Sequence, residues 1–412
     1  MTKKPLGLFE AWGIEIEYMI VDRTSLDVRS ISDAVLRDAS GGSEWVADIA
    51  DGTIDWSNEL VSHVIELKCA QPVGTLEGLA GEFERSLKRL YKVLDGHDAT
   101  LMPGAMHPWM VPATETRLWS HESSEIYRAY DSMFDCKRHG WANLQSMHIN
   151  LPFANQSEFE QLMTAIRLVV PLVPALAASS PVYENGNGKH LDSRLFFYRG
   201  NSVKVPAMAG EIIPEAIFDM QEYRSAVLAP ISAQLRQHNA PKELLTRDWL
   251  NARGAIARFD RMAIEIRVAD SQENPRADLA VAAAVGTLVR MLVAENGSSI
   301  REQQRYASAP LIGLFESAVC NGPEAPLPPG YAELFGSDTS RAPTAGALCQ
   351  DLLRARFDGP AELEQSLEHI LREGTLAQRL RRAIGPDYAP HDIAAAYRRL
   401  CACLAEGESF RP

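Results

Sequence analysis

Four short stretches of this chain alternate apolar residues with carboxylates, a histidine or an arginine at a period of two. They are Gly13-Ile14-Glu15-Ile16-Glu17-Tyr18, Val64-Ile65-Glu66-Leu67-Lys68, Ser146-Met147-His148-Ile149-Asn150-Leu151 and Ala263-Ile264-Glu265-Ile266-Arg267-Val268. Successive side chains on a strand point to opposite faces. If the four strands share a sheet, its apolar residues line one face. Glu15, Glu17, Glu66, His148, Asn150, Glu265 and Arg267 line the other.

Any one of these strands also fits an antiparallel sheet with a wet face. A lone histidine in an apolar strand also fits a structural role. The conjunction narrows the reading. A merely solvated face collects Thr, Ser and Lys, whereas this one gathers like charges that repel and cost stability. Cations remove that cost. Magnesium prefers carboxylate oxygen and bridges to phosphates, and a Glu-rich, His-poor set suits it better than zinc. Arg267 adds a planar fork for a phosphoryl group. The chemistry that fits is phosphoryl transfer, in which positioning and charge neutralisation do most of the catalysis. A metal-dependent hydrolase needs a ligand set with a position open for water. Glu59 lies seven residues before Glu66. That odd spacing brings both to one site only through a bulge or a strand that starts after Glu59.

A chain of 412 residues can bury a large core, as two or three domains or as one large single-sheet enzyme. The net charge of −13 argues against nucleic acid or an anionic membrane as partner, but not against ATP held by a local cation cluster. No run of about 18 apolar residues suggests a membrane span. The start, Met1-Thr2-Lys3-Lys4, has no apolar leader after it, so a cytoplasmic protein is expected. The six cysteines form no CxxC pair and no zinc spacing, so reduced thiols are expected.

Residues 75–97 predict an amphipathic helix, with apolar residues from Leu76 to Leu94 at three- and four-residue steps. Helices are also predicted over 31–39, 158–176 and 278–295. Residues 100–119 read as irregular. Residues 183–215, rich in Gly, Asn and charge, read as a binding loop. A strand is expected over 258–270. Beyond about 300, helices are expected at 346–357, 361–373, 376–384 and 391–406, punctuated by Gly359-Pro360, Gly374, Gly385-Pro386 and Gly407. There is no Gly-x-x-x-x-Gly-Lys-Ser/Thr loop and no Gly-x-Gly-x-x-Gly, which excludes the commonest nucleotide folds.

Taken together, these motifs resemble the bacterial-type, second group of the glutamate–cysteine ligase family, which includes carboxylate–amine ligases. Gly13-Ile14-Glu15-Ile16-Glu17 matches its first metal strand, and Glu59 with Glu66 its second pair of acids. His148-Ile149-Asn150 matches its histidine strand. Glu265 to Asp270, with the helix that follows, matches its last motif. The resemblance covers about residues 8–295. It implies an α+β fold like the glutamine synthetase catalytic domain: a curved, mainly antiparallel sheet forming a funnel, with helices outside. Residues 1–300 would form that catalytic domain, and 301–412 a helical region packed on it.

The resemblance also implies ATP with magnesium, manganese being able to substitute, and small carboxylate and amine substrates, by default glutamate plus L-cysteine. A homo-oligomer remains open. Glu15, Glu17, Glu59, Glu66, His148 and Glu265 would hold metal, with Glu66 and Arg267 catalytic. Asn150, Arg194, Tyr198, Arg199 and Arg267 would contact substrate or phosphate. Arg194 and Arg199 fit equally well as loop surface charges. The segment 200–224 matches no amino-acid pocket, and the register around Asp48 to Asp55 stays ambiguous. Other readings are the same chemistry on another acid or amine, or a non-catalytic relative that binds a nucleotide or metabolite.

Overall fold

The computed structural model describes residues 5–412 except Ser123, Glu243, Thr246 and Arg247. The Met1-Thr2-Lys3-Lys4 start lies outside the described residues. Ten strands appear in them: β1 (Gly13–Asp22), β2 (Asp48–Ile49), β3 (Ile54–Asn58), β4 (Val64–Cys69), β5 (Ala99–Met102), β6 (Ser146–Pro152), β7 (Val182–Tyr183), β8 (Gly186–Asn187), β9 (Ala255–Arg258) and β10 (Ala263–Asp270). Eight form one sheet in the order β2-β3-β4-β1-β6-β10-β9, with β5 also on β1. Every pairing in it is antiparallel. The four patterned segments occupy β4, β1, β6 and β10, the contiguous centre of the sheet.

The register aligns the polar residues. Glu17 pairs with Glu66 and Glu15 with Lys68 across β1 and β4. On the other side Glu15 pairs with His148 and Gly13 with Asn150, and Asn150 pairs in turn with Glu265. The ambiguous strand falls in place beside them, with Ser57 opposite Glu66 and Asp55 opposite Lys68. A register shift between Ile266 and Ala269 sets Arg267 and Val268 together against His148. Such a bulge re-aims a side chain without breaking the sheet.

The apolar face is the main core. Ile14, Ile16, Tyr18, Ile65, Leu67, Met147, Ile149, Ile264 and Ile266 are wholly buried, clustered with the helices Leu79–Asp95, Gln156–Val169 and Pro275–Val293. The span Gln156–Ala177 is long and apolar enough to cross a membrane by composition, yet it is mostly buried inside the protein. Gly286 admits the Trp12 indole against its helix, since a Cβ there would lie 2.2 Å from the ring.

The opposite face changes character along β1. Glu15 and Glu17 are followed on that face by Met19 and Val21. These join Val64, Met102, Leu380, Tyr397, Leu400 and Phe410 in a second core. The helices Leu376–Ile384 and Pro390–Glu406 thus cover one half of the face. The acids occupy the other half. The helix Ala361–Glu373 instead joins the main core, which is continuous across residue 300.

The helices predicted after residue 345 match the observed Ala345–Arg356, Ala361–Glu373, Leu376–Ile384 and Pro390–Glu406 closely. Elsewhere the structure differs. The strand expected over 258–270 is a hairpin of β9 and β10, turning near Met262 in the left-handed region (φ 52°). Residues 183–215 are not all loop: Ser193–Tyr198 is a helix whose first turn is capped by Asp192, which accepts from Leu195 N. The 100–119 segment opens with β5. The helices Ser124–Phe134 and Ser308–Asn321 were not expected. In the latter Pro310 lies in the first turn, where proline is tolerated.

Candidate active site

Two groups of three ligand atoms converge on the polar half of the sheet face. One comprises Glu15, Glu66 and His148, the other Glu17, Glu59 and Glu66; within each, the atoms lie within 4.8 Å of one another. Glu66 belongs to both because it stands opposite Glu17 and beside Glu15's strand. Glu59 joins by the second of the two expected routes, since β4 starts after it, at Val64. It follows the end of β3, in the connection to β4, where alternation no longer constrains it.

Neighbours fix these carboxylates. Ser146 donates to Glu17 Oε2 from its N–H (2.7 Å) and its hydroxyl (3.0 Å). Ser57 Oγ donates to Glu66 Oε1 at 2.8 Å, and Lys68 Nζ lies 3.1 Å from the same oxygen. His148 Nδ1 is 3.2 Å from Glu15 Oε2. Asn150 Nδ2 donates to Glu15 Oε1 at 3.4 Å, and Arg261 reaches that oxygen at 3.3 Å.

The electrostatics divide the acids. Burial pushes the Glu15 carboxyl up, but the hydrogen bond and charge of His148, with Arg261 and Lys68, bring it down to about 2. Burial and the charge of Glu15 push Glu66 up, with Lys68 opposing. Glu59 is held well above the usual carboxylate range by burial and by Glu66 and Glu17. The protein's own cations thus leave the ionised forms of Glu59 and Glu66 under-compensated, and a divalent ion bound there would favour ionisation.

Glu265 lies beside the triads. Its Oε2 accepts from Arg258 at 2.6 Å, its Oε1 faces Arg267 Nε at 3.0 Å, and His148 lies 3.9 Å away. It belongs to neither triad, and its carboxylate pairs with two arginines. Arg194 and Tyr198, one helical turn apart, both line a cavity of about 200 Å³ with Glu17, Glu59, His148 and Arg267. Arg199, next along the helix, is not in that lining; it is half-exposed and pairs with Glu316 at 2.5 Å. Asn150 lines a second cavity, of about 320 Å³, with Gly13, Glu15, Lys68 and Arg261. The triads lie between the two hollows.

Residues 11–322 match the sequence model of glutamate–cysteine ligase family 2. The chain belongs to that family. A relative, an uncharacterized protein of Archaeoglobus fulgidus, is 32% identical over 398 residues, 97% of this chain and 99% of its own. The crystal structure of a glutamate–cysteine ligase from Francisella tularensis in complex with AMP superposes with a TM-score of 0.60 at 13% identity, over 96% of this chain and 88% of that one. At that identity the likeness establishes a shared fold. Membership of glutamate–cysteine ligase family 2 makes this protein an ATP-dependent ligase joining a carboxylate to an amine.

Several residues around this candidate site escaped the sequence reading. Ser57 and Lys68 obey the same alternation as Glu66 and were findable from it. Tyr127 and Tyr130 line the cavity from the helix Ser124–Phe134, and Trp141 from the segment after it. Their signal was three- and four-residue spacing (Tyr127, Tyr130, Phe134), which marks a helix face but names no site. Arg258 and Arg261 become legible only once the β9–β10 hairpin is known.

Proposed function

We propose that the chain activates a carboxylate with the γ-phosphate of ATP and passes the acyl group to an amine. The observation that supports this is the pair of acidic triads sharing Glu66 between two cavities. The hollow beside Glu15 suits a nucleotide: Lys68 and Arg261 provide cations, and Asn150 an amide. The hollow beside Glu17 suits the acid and amine. In the first step the carboxylate oxygen displaces ADP to give an acyl phosphate. In the second the amine nitrogen bonds to the acyl carbon, the C–O bond to phosphate breaks, and nitrogen sheds a proton.

The donor set fits magnesium, being carboxylate oxygen with one imidazole. Glu15, Glu66 and His148 would hold one ion, and Glu17, Glu59 and Glu66 another. Metal held by these residues would supply neutralisation of phosphate charge. Arg267, fixed by Glu265 and by donation to Asn251 O at 3.2 Å, faces the same hollow and holds the transferring phosphoryl group.

Glutamate through its γ-carboxyl plus L-cysteine, giving γ-glutamylcysteine, is the pair that the family name suggests. The largely apolar lining of the substrate hollow favours a second reading, the same chemistry on a different amine. The test is ATP-dependent phosphate release across a panel of acids and amines, with mass spectrometry of the products. Glu66→Gln is expected to lower turnover by about 10²–10³-fold while the protein stays folded; near-normal turnover would refute the triads. Arg267→Ala is expected to depress kcat more than nucleotide affinity.

A further inference from the structure

The substrate hollow has walls that a cysteine side chain does not use. Tyr127, Tyr130, Trp141 and Met208 line it, along with Leu144 and Leu250. Rings of this kind gain from an edge-to-face or offset aromatic partner. Tyr130 and Trp141 already pack this way, centroids 5.6 Å apart.

Two residues of the same walls each hold a buried donor that lacks an acceptor among the described residues. Arg194 is 2% exposed. Its Nε donates to Asp270 at 2.5 Å and its Nη1 to the carbonyl of Arg267 at 3.3 Å, but its Nη2 has no partner among the described residues. Trp141 Nε1 is likewise buried without a hydrogen-bond partner among them. A buried donor left unpaired costs about 1–3 kcal/mol, so a ligand that accepts without donating gains by docking here. A carboxylate is such a group, and an arginine edge is its usual partner.

We infer that the amine substrate is an aromatic α-amino acid, its carboxylate on Arg194 and its ring among Tyr127, Tyr130, Trp141 and Met208. Held so, the carboxylate is fixed in the wall and the α-amino group is left as the nucleophile. This rests on the ligase reading above, with the hollow beside Glu17 serving as the substrate side. The aromatic walls set the class, because apolar pockets discriminate by the area they bury. Arg194 sets the requirement for an acid group beside the amine.

The experiment is equilibrium binding to the full chain with magnesium and a non-hydrolysable ATP analogue present. L-phenylalanine, L-cysteine and phenethylamine are titrated separately. Phenylalanine is expected to bind at least about tenfold tighter than cysteine, and at least about tenfold tighter than phenethylamine, which lacks the carboxylate. Leu144→Trp, which fills the hollow, is expected to abolish phenylalanine binding and leave binding of a fluorescent ATP analogue unchanged. Cysteine binding as tightly as phenylalanine, or phenylalanine binding unaffected by Leu144→Trp, would overturn the inference. Loss of nucleotide binding in the wild-type protein would instead overturn the ligase reading, so the two failures are separable.

Discussion

Two arginine–carboxylate pairs are buried in this molecule with carboxylates three residues apart, and they are finished differently. Arg379 and Glu273 are 0% and 1% exposed, Arg194 and Asp270 2% and 0%. Arg379 uses every nitrogen: two on Glu273 (2.5 and 3.1 Å), one also on Phe410 O (2.8 Å), and Nε on Gly374 O (3.1 Å). That pair ties the C-terminal tail to the end of β10 and is complete. Arg194, which lines a cavity, keeps one buried donor without a partner among the described residues. Burial and ion pairing are the same in both. The difference is satisfaction, and the unsatisfied pair is the one at the site.

The largest expected effect belongs to the complete pair. Arg379→Met removes the counter-charge of buried Glu273, which keeps Phe410 N at 3.4 Å, and is expected to cost about 3–5 kcal/mol of stability, read by chemical denaturation. Adding Glu273→Met should recover most of that loss, since a well-packed apolar pair can replace a buried ion pair. A single mutant within about 1 kcal/mol of wild type would break the contrast by showing that the tail clamp carries little.

Acid probes the same closed half of the sheet. Burial pushes His63 and His107 down to about 4 from 6.5, each with Nε2 against a backbone carbonyl, Ala142 at 2.6 Å and Leu26 at 2.8 Å. In the unfolded chain both take a proton near pH 6.5, and in the folded chain near 4. Their contribution is therefore present above pH 6.5 and is lost as pH falls towards 4, on the order of 3 kcal/mol for each. Denaturation midpoints measured from pH 7 to pH 4 are expected to fall, and His107→Gln should flatten the slope. A midpoint constant over that range would refute the neutral burial of these rings.

Much of the site was legible because a strand's period is strict. Glu15, Glu17, Glu66, His148 and Arg267 needed only alternation plus the assumption of one sheet. Glu59 was ambiguous because it lies beyond the end of β3, where no period holds. Glu265 obeys the alternation, yet its role turned on Arg258, which a hairpin brings from seven residues away. Arg194 and Arg199 could not be separated in the sequence. Five residues apart, they leave a short helix in different directions, one to Asp270 and one to Glu316. The far wall of the cavity, from Tyr127 to Leu144, is tertiary information that no local pattern contained.

The last two tests place Arg194 between the complete pair and the surface. Arg194→Met leaves Asp270 Oδ2 accepting from Ser179 N at 2.8 Å and Ser180 Oγ at 3.0 Å. The carboxylate is not stranded, so the cost should be about 1–3 kcal/mol, below that of Arg379→Met, while phenylalanine binding is lost. Arg199 pairs with Glu316 at side-chain exposures of 40% and 45%, where solvent screening leaves such pairs worth about 0–1 kcal/mol. Arg199→Ala should therefore shift the denaturation midpoint little and leave turnover within about twofold, the usual result for a surface change away from a site. If turnover instead falls tenfold with stability intact, Arg199 reaches the substrate when it is bound, and the boundary between the open pair and the outer surface must be redrawn to include the end of the Ser193–Tyr198 helix.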